Sequence, residues 1–515
     1  MVSSRIRFLL ALGGAIAVSG CSGMRSLPYG SFANQSASRL THSASRPPAV
    51  ANFAFLLTDG RVLAQSTSLA NWFTYSPDAN GDYSDGTWTQ VASLPSGYSP
   101  DAYAADMLAD GRLALIGGEY NNGNFALTNL GAVYDPVKNT WTKLGHPNGW
   151  GWIGDSPSSV LPDGRVLVGD KLHKWDATLD PKTLKWTKVS DAGKNDFNAE
   201  EGWTLLPDGT ILTADVLKDP NSEIYNPSTG QWKSAGSTVV KLASHWYSSG
   251  CLQYGPKPKD CYRPPGEIGP AMLRPDGTVF ATGSFQGISY GPGNTAVYHT
   301  SGSLAGTWTA GPQFPNGDNA GDSFAALEPS GNVLVFGDSG TIYEWDGMNL
   351  SALSGVPYCP PLVAPTGQIL LFCSSSVDVY TPTGSPKSSW APTIKKVSSR
   401  IAGGKTYKIT GTQFNGLSQT MAFGDEYQNA TNYPLVRIVN NKSGHVFYAR
   451  THDHSTMGVA TGSKTVWTYF DVPSSIDNGA STLVVVANGI ASKAANVTVS
   501  GGRRQDSESK PSMRR

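Results

Sequence analysis

One phrase returns seven times along this chain: an apolar strand, a tight turn, and a second apolar strand. It reads Leu57-Thr58-Asp59-Gly60-Arg61-Val62-Leu63, and the same turn recurs around Asp110-Gly111, Asp163-Gly164, Asp208-Gly209 and Asp276-Gly277. Two altered copies follow at Ser330-Gly331 and Thr366-Gly367. Asp-Gly between apolar runs is a hairpin signal, and a type I′ turn is expected there because Gly tolerates positive φ. A spacing near 50 residues points to a propeller or solenoid, in which each repeat is one small sheet needing its neighbours to bury its faces. The second half of each unit is patterned too. Tyr134, Tyr225, Tyr298, Tyr343 and Tyr380 end a third strand, and Trp88, Trp141, Trp186, Trp232, Trp308 and Trp390 mark a fourth. The sixth unit lacks that Trp, and Leu350 stands in its place.

The strand, Asp-Gly, strand, Gly117-Gly118, Tyr-Asp-Pro, Trp pattern resembles the kelch motif. Seven units followed by a different β-rich region resemble the galactose oxidase and glyoxal oxidase family of copper-radical enzymes. The resemblance spans roughly residues 50–500 and implies an all-β fold: a seven-bladed kelch-type β-propeller followed by an immunoglobulin-like β-sandwich. The expected division is a lipoprotein signal peptide over 1–20, a tether over 21–48, the propeller over 49–391, the sandwich over 393–500 and a disordered tail over 501–515.

Activity is harder to carry across, because one fold hosts many functions. The family needs a Cys joined to a Tyr, a Tyr-His pair, a stacking aromatic, and a His from the C-terminal domain. Tyr103 lies one residue out of register with the linked Tyr, Tyr120 stands near the stacking position, and Tyr358-Cys359 occupies the Tyr-His place. No Cys precedes Asp59 in the first unit. His445, in a hairpin resembling the one that carries the family's ligand, is the single match. Copper is therefore the less favoured metal, and calcium the alternative.

The residues offer their own reading. The two strands around each Asp-Gly are antiparallel, so the start of the first and the end of the second share the rim opposite the turn. On that rim fall Asp101, Asp155, Glu200, Glu201, Glu267 and Asp322, then Glu119, Asp170, Asp215 and Asp338. Tyr103, Tyr120, Trp150, Trp152 and Trp203 stand among them. Carboxylates accept hydrogen bonds from hydroxyls or hold a hard cation, and flat aromatic faces stack on a sugar. The expected site takes Asp101, Asp155, Glu200, Glu267 and Asp322 as polar ligands, Trp152, Trp203, Tyr103 and Tyr120 as its aromatic surface, and His445, Asp155 and Glu200 as metal ligands. The expected ligand is a carbohydrate or another small hydroxylated molecule. Three other readings stay open: a divergent oxidase, a hydrolase working through paired rim carboxylates, and a protein-interaction scaffold. Whether any reaction is catalysed is not decided by these residues. His452-Asp453-His454 and Ser244-His245-Trp246-Tyr247 are polar stretches with no further ligand or nucleophile motif beside them.

Charge and cysteines bound the setting. Lys plus Arg and Asp plus Glu both number 39, and no basic run interleaved with aromatics occurs, which argues against nucleic acid as a partner. Arg5 and Arg7 precede an apolar run too short to count as a spanning helix. Val18-Ser19-Gly20-Cys21 resembles a bacterial lipobox, implying that Cys21 carries lipid and tethers a monomer to a membrane in the periplasm or at the cell surface. Cys251, Cys261, Cys359 and Cys373 remain. An oxidising compartment would let Cys251 meet Cys261, and Cys359 meet Cys373; other pairings stay open from sequence.

Overall fold

The computed structural model describes residues 39–244, 252–253, 261–262, 268–285, 292–423 and 428–502. The chain is nearly all β, with only three short 3₁₀ turns among the described residues. None of the described helices is long and apolar enough to cross a membrane. Cys21, Cys251, Glu267 and His245 lie outside the described residues, as does the side chain of Cys261.

Six four-stranded antiparallel sheets and one of five strands, the sixth in order, follow one another among the described residues. The first is Ala51–Leu56, Val62–Ser66, Trp72–Ser76 and Thr87–Gln90, each strand paired to the next. From the second sheet to the seventh the innermost strands of successive sheets contact one another, and that of the seventh returns to the first; Phe55 and Tyr103, 6.5 Å apart, join the first sheet to the second. The result is a β-propeller-like ring whose first strands line the centre.

The turns differ from the type I′ expectation. Gly60 is left-handed at φ 78°, but Asp59 is not among the positive-φ residues. The Leu57 N–H donates to Arg61 O and the Gly60 N–H to Leu57 O, giving a three-residue loop with a left-handed glycine. Asp59 contributes through its side chain, whose Oδ1 accepts the Arg61 N–H at 3.1 Å. Asp110, Asp163, Asp208 and Asp276 repeat that bond. Ser330 and Thr366 supply a hydroxyl instead, which explains how the two altered copies keep the turn.

In four sheets the tyrosine of the third strand packs on the tryptophan of the fourth. Ring centroids are 4.7 Å apart for Tyr75–Trp88, 5.0 Å for Tyr134–Trp141, 5.3 Å for Tyr225–Trp232 and 5.1 Å for Tyr298–Trp308. Such pairs close the outer edge of each sheet. Leu350 fills the same place in the sixth, buried opposite Trp345. Trp390 does not close the seventh sheet, for it lies in a 3₁₀ turn, Ser388–Trp390. The missing strand comes from the other end of the chain. Arg39–His42 pairs with Ser376–Thr381, so the last part of the expected tether is a strand. Three strands of the seventh unit leave an unpaired edge, and Arg39–His42 satisfies it while Leu40 packs on the core.

The C-terminal region forms a second antiparallel array, including Thr406–Thr412, Leu435–Asn440, Val446–His452, Val466–Asp471 and Gly479–Ala487, around its own core of Ile409, Val436, Ile438, Phe470 and Val485. It lies on the Asp-Gly-turn face of the ring: the Thr451 N–H donates to Thr58 O, His454 N–H to Ala109 O and Met457 N–H to Pro162 O. A two-armed insertion, 413–423 and 428–434, continues from there into the ring. It bonds to Leu205, Ala54, Pro361 and Leu56, touches Met272 through Ser418, and pairs Met421–Phe423 with Phe324–Leu327. Those residues lie in or beside the inner strands of five sheets, so the insertion occupies the axis.

Candidate functional site: a buried lysine among rim carboxylates

The rim opposite the Asp-Gly turns is where the first strands begin. Its loops enter those strands through unusual backbone. Ala102, Ala199 and Asp322 are left-handed without being glycine, at φ 51°, 46° and 47°, and Gly154 is left-handed at 80°. Such conformations cost roughly 1–3 kcal/mol each and tend to be kept where a site must be shaped.

At the centre of these loops is Lys171, in the connection between the second and third strands of the third sheet, Val166–Gly169 and Asp176–Asp180. Its backbone is clamped on both sides: its N–H donates to Ile153 O at 3.1 Å and its carbonyl accepts the Ala199 N–H at 3.0 Å. Gly154 makes room, since a Cβ there would lie 3.3 Å from the Lys171 side chain. The Lys171 side chain is only 2% exposed, and its ammonium contacts Asp155 Oδ2 and Glu200 Oε1, the latter at 2.8 Å. A buried ammonium needs such partners.

Two further carboxylates feel the same charge. Burial pushes Glu119 up to about 7; Lys171 opposes this, while Glu200 and Asp322 add to it. Burial also pushes Asp322 up to about 7, reinforced by Glu200 and opposed by Lys171. Asp155 is raised well above the carboxylate range by burial, although Lys171 pulls against it. Glu119 and Asp322 therefore exchange protons close to neutral pH, and the group can release or accept one as a ligand arrives.

The same loop builds an aromatic face. Asp170 Oδ1 accepts the Leu172 N–H at 2.9 Å and contacts His173 Nδ1 at 3.0 Å, tightening the turn. His173 then lies flat on Trp175, centroids 3.8 Å apart and planes 5° from parallel, and Trp150 continues the stack beneath Trp175. Trp175 is 40% exposed. The half-buried Trp152 packs on Leu127 and Leu172 nearby.

The structure thus gathers Asp155, Glu200, Glu119 and Asp322, which come from different sheets. Asp101 and Tyr120 pair across a small strand pair beside them. Other expected members are placed differently. Tyr103 is fully buried and donates to Gln65 Oε1 at 2.7 Å, so it offers no surface to a ligand. Trp203 is also core, packed 5.7 Å from Trp232. His445 is on the wrong face: the next N–H, Val446, donates to Ala79 O in a turn on the Asp-Gly side, and the imidazole contacts Asp477 at 2.8 Å. The sequence match was to a hairpin, whereas the segment that enters the ring is the insertion, which has no histidine between 413 and 434. Cys359 is bonded to Cys373, so it is not a metal ligand. His452 contacts Asp453 and Asp471, while His454 is buried against Thr468 and held down near 3 by that burial, the neighbouring His452 adding to it. Sequence reasoning missed Lys171, His173 and Trp175. Their signal was slight: a short connection, Asp170 to Trp175, that mixes charged residues with one histidine and one tryptophan.

No family model matches the chain, and no curated protein matches it. Among solved structures, a fungal alcohol oxidase of the AA5 family in complex with copper is similar at 15% identity, with 90% of this chain and 98% of that one covered and a TM-score of 0.46. Virginiamycin B lyase from Staphylococcus aureus is similar at 13% identity over 67% of this chain and 99% of that one, with a TM-score of 0.42.

Proposed function

We propose that this protein is an exported, lipid-anchored binding protein. In this reading it is a seven-bladed kelch-type propeller with an immunoglobulin-like sandwich, held to a membrane through Cys21, and it takes a carbohydrate or another small hydroxylated ligand on the acidic-aromatic rim. The observation that carries the reading is the carboxylate group around Lys171, set beside an exposed aromatic stack. Carboxylates accept from ligand hydroxyls, the Trp175 face stacks on a sugar's C–H surface, and Lys171 keeps the acids from repelling one another. Glu119, Asp155, Glu200 and Asp322 are the polar members, with Trp152 and Trp175 the aromatic ones.

A hydrolase is the second reading, favoured by one observation: Asp155 and Glu200 share one ammonium, and Glu119 beside them is poised near neutral pH, which suits general acid–base work. Copper-radical oxidation has no support from the residues at the axis. The test is titration of the mature protein with a panel of mono- and oligosaccharides, following tryptophan fluorescence and product release together. Quenching without product supports binding, quenching with product supports the hydrolase, and neither with any sugar removes the carbohydrate reading.

A further inference from the structure

A second lysine-centred group lies deeper, between the third and fourth sheets, and has no part in the rim site. Lys194 enters from the connection after Lys185–Lys188 and is fully enclosed. Its ammonium contacts both oxygens of Glu201 at 2.8 Å and Glu223 Oε2 at 2.7 Å, and lies 4.7 Å from the centre of the Trp232 ring. Asp196, Asp215 and Asp176 complete the cluster, and all five acids are buried. Burial draws Lys194 down, but Glu201 and Glu223 outweigh it and hold it raised. The nearby Lys174 and Lys218 do not balance the acids, because their ammonium groups bond the carbonyl oxygens of Lys194 and Asn195.

One ammonium against five buried carboxyls leaves an excess of negative charge, which must be met by protons or by another cation. Geometry favours a cation. Asp196, Glu201, Asp215 and Glu223 each offer an oxygen, and these oxygens all lie within 4.8 Å of one another. That spread fits a sphere of Ca²⁺–oxygen bonds of about 2.4 Å. Two oxygens are also without a donor: Asp196 Oδ1, which faces Lys194 Nζ at 3.7 Å, and Asp215 Oδ1. The other oxygens of these two aspartates are used, by the Leu217 and Lys218 N–H groups and by Asn195 Nδ2. Buried carboxylate oxygens are seldom left without a partner. We propose that Asp196, Glu201, Asp215 and Glu223 bind one Ca²⁺ ion beside Lys194, fastening the connection that leaves the third sheet onto the fourth. Mg²⁺ fits less well, since it keeps several waters and every acid here is enclosed.

The test uses the full mature protein, dialysed against metal-free buffer and then analysed for metal content. One Ca²⁺ per chain is expected, together with terbium emission sensitised through Trp232 when Tb³⁺ replaces it. EDTA is expected to lower the melting temperature by about 5 °C or more. Asp215→Asn keeps the side-chain shape and is expected to abolish retained Ca²⁺ and terbium emission, whereas Glu200→Gln at the rim is expected to leave both unchanged. Where Asp215→Asn fails to fold, the wild-type EDTA and terbium measurements decide alone. Absence of Ca²⁺, of terbium emission and of any EDTA effect in the wild type overturns the proposal. So does Ca²⁺ retained equally by folded Asp196→Asn and Asp215→Asn.

Discussion

Lys171 lies in a connection within the third sheet and Lys194 in the one that leads from the third sheet to the fourth; each gathers several carboxylates, yet the two groups face different surroundings. Around Lys171 the acids come from loops opening onto the rim, and Glu119, Glu200 and Asp322 all retain some exposure. Around Lys194 every acid is enclosed and Trp232 closes the outer side. The same residue types therefore serve different ends according to what can reach them. An ammonium among acids at a rim organises a surface for something that comes and goes. An ammonium among more acids in an enclosed wedge is part of the packing and calls for a permanent counter-charge.

The comparison can be broken most forcefully by removing the lysines. Lys194→Met strips the enclosed acids of their ammonium and is expected to cost ~3–5 kcal/mol, read by urea unfolding. Lys171→Met is expected to cost clearly less, because water can reach its partners. Equal losses would mean that the rim group is as structural as the enclosed one. Next in size is Glu200→Gln, expected to weaken ligand binding by about tenfold, corresponding to one lost charge-assisted hydrogen bond. Its melting temperature should stay at the wild-type value; a parallel fall in both would recast Glu200 as a structural partner of Lys171.

pH sharpens the contrast. Asp176 and Asp215 in the enclosed group are pushed from 3.8 up to about 7, chiefly by burial, as is Asp322 at the rim. A carboxyl raised in the folded state binds its proton more tightly there than when unfolded. The stability it contributes is full below its unfolded pKa and is lost as pH rises through the folded value. Melting temperatures of the metal-free protein should therefore fall between about pH 4 and pH 7, and added Ca²⁺ should flatten much of that fall. A profile indifferent to Ca²⁺ would assign the effect to the rim. The smallest effect is expected from Trp175→Ala: a few-fold loss of sugar affinity, about 1 kcal/mol, with stability unchanged. Unchanged affinity would move the ligand away from the stack.

What could be read in the sequence was whatever recurs locally. Gly60, Gly111, Gly164, Gly209, Gly277, Gly331 and Gly367 all sit left-handed in the same turn of successive sheets. The rim could be derived from strand direction alone, which is how Glu119, Asp155, Glu200 and Asp322 could be singled out. Lys171 could not, because nothing near it in sequence marks it as buried; its partners arrive from other sheets only when the ring closes. Trp203 and Tyr103 resembled surface aromatics for the converse reason, since only packing between neighbouring sheets hides them. Arg39–His42 offers no pattern of its own and becomes a strand because an edge hundreds of residues away needs one. His445 was misplaced because similarity to a hairpin does not say which loop enters the axis.

The insertion through the ring has one more consequence. With 413–423 and 428–434 seated against five inner strands and the C-terminal array behind them, the centre of the ring is a cul-de-sac. A long polymer cannot be threaded through it and drawn along from the far side. Whatever is recognised at the mouth must present an end, a branch or a small free molecule, and must leave by the way it entered.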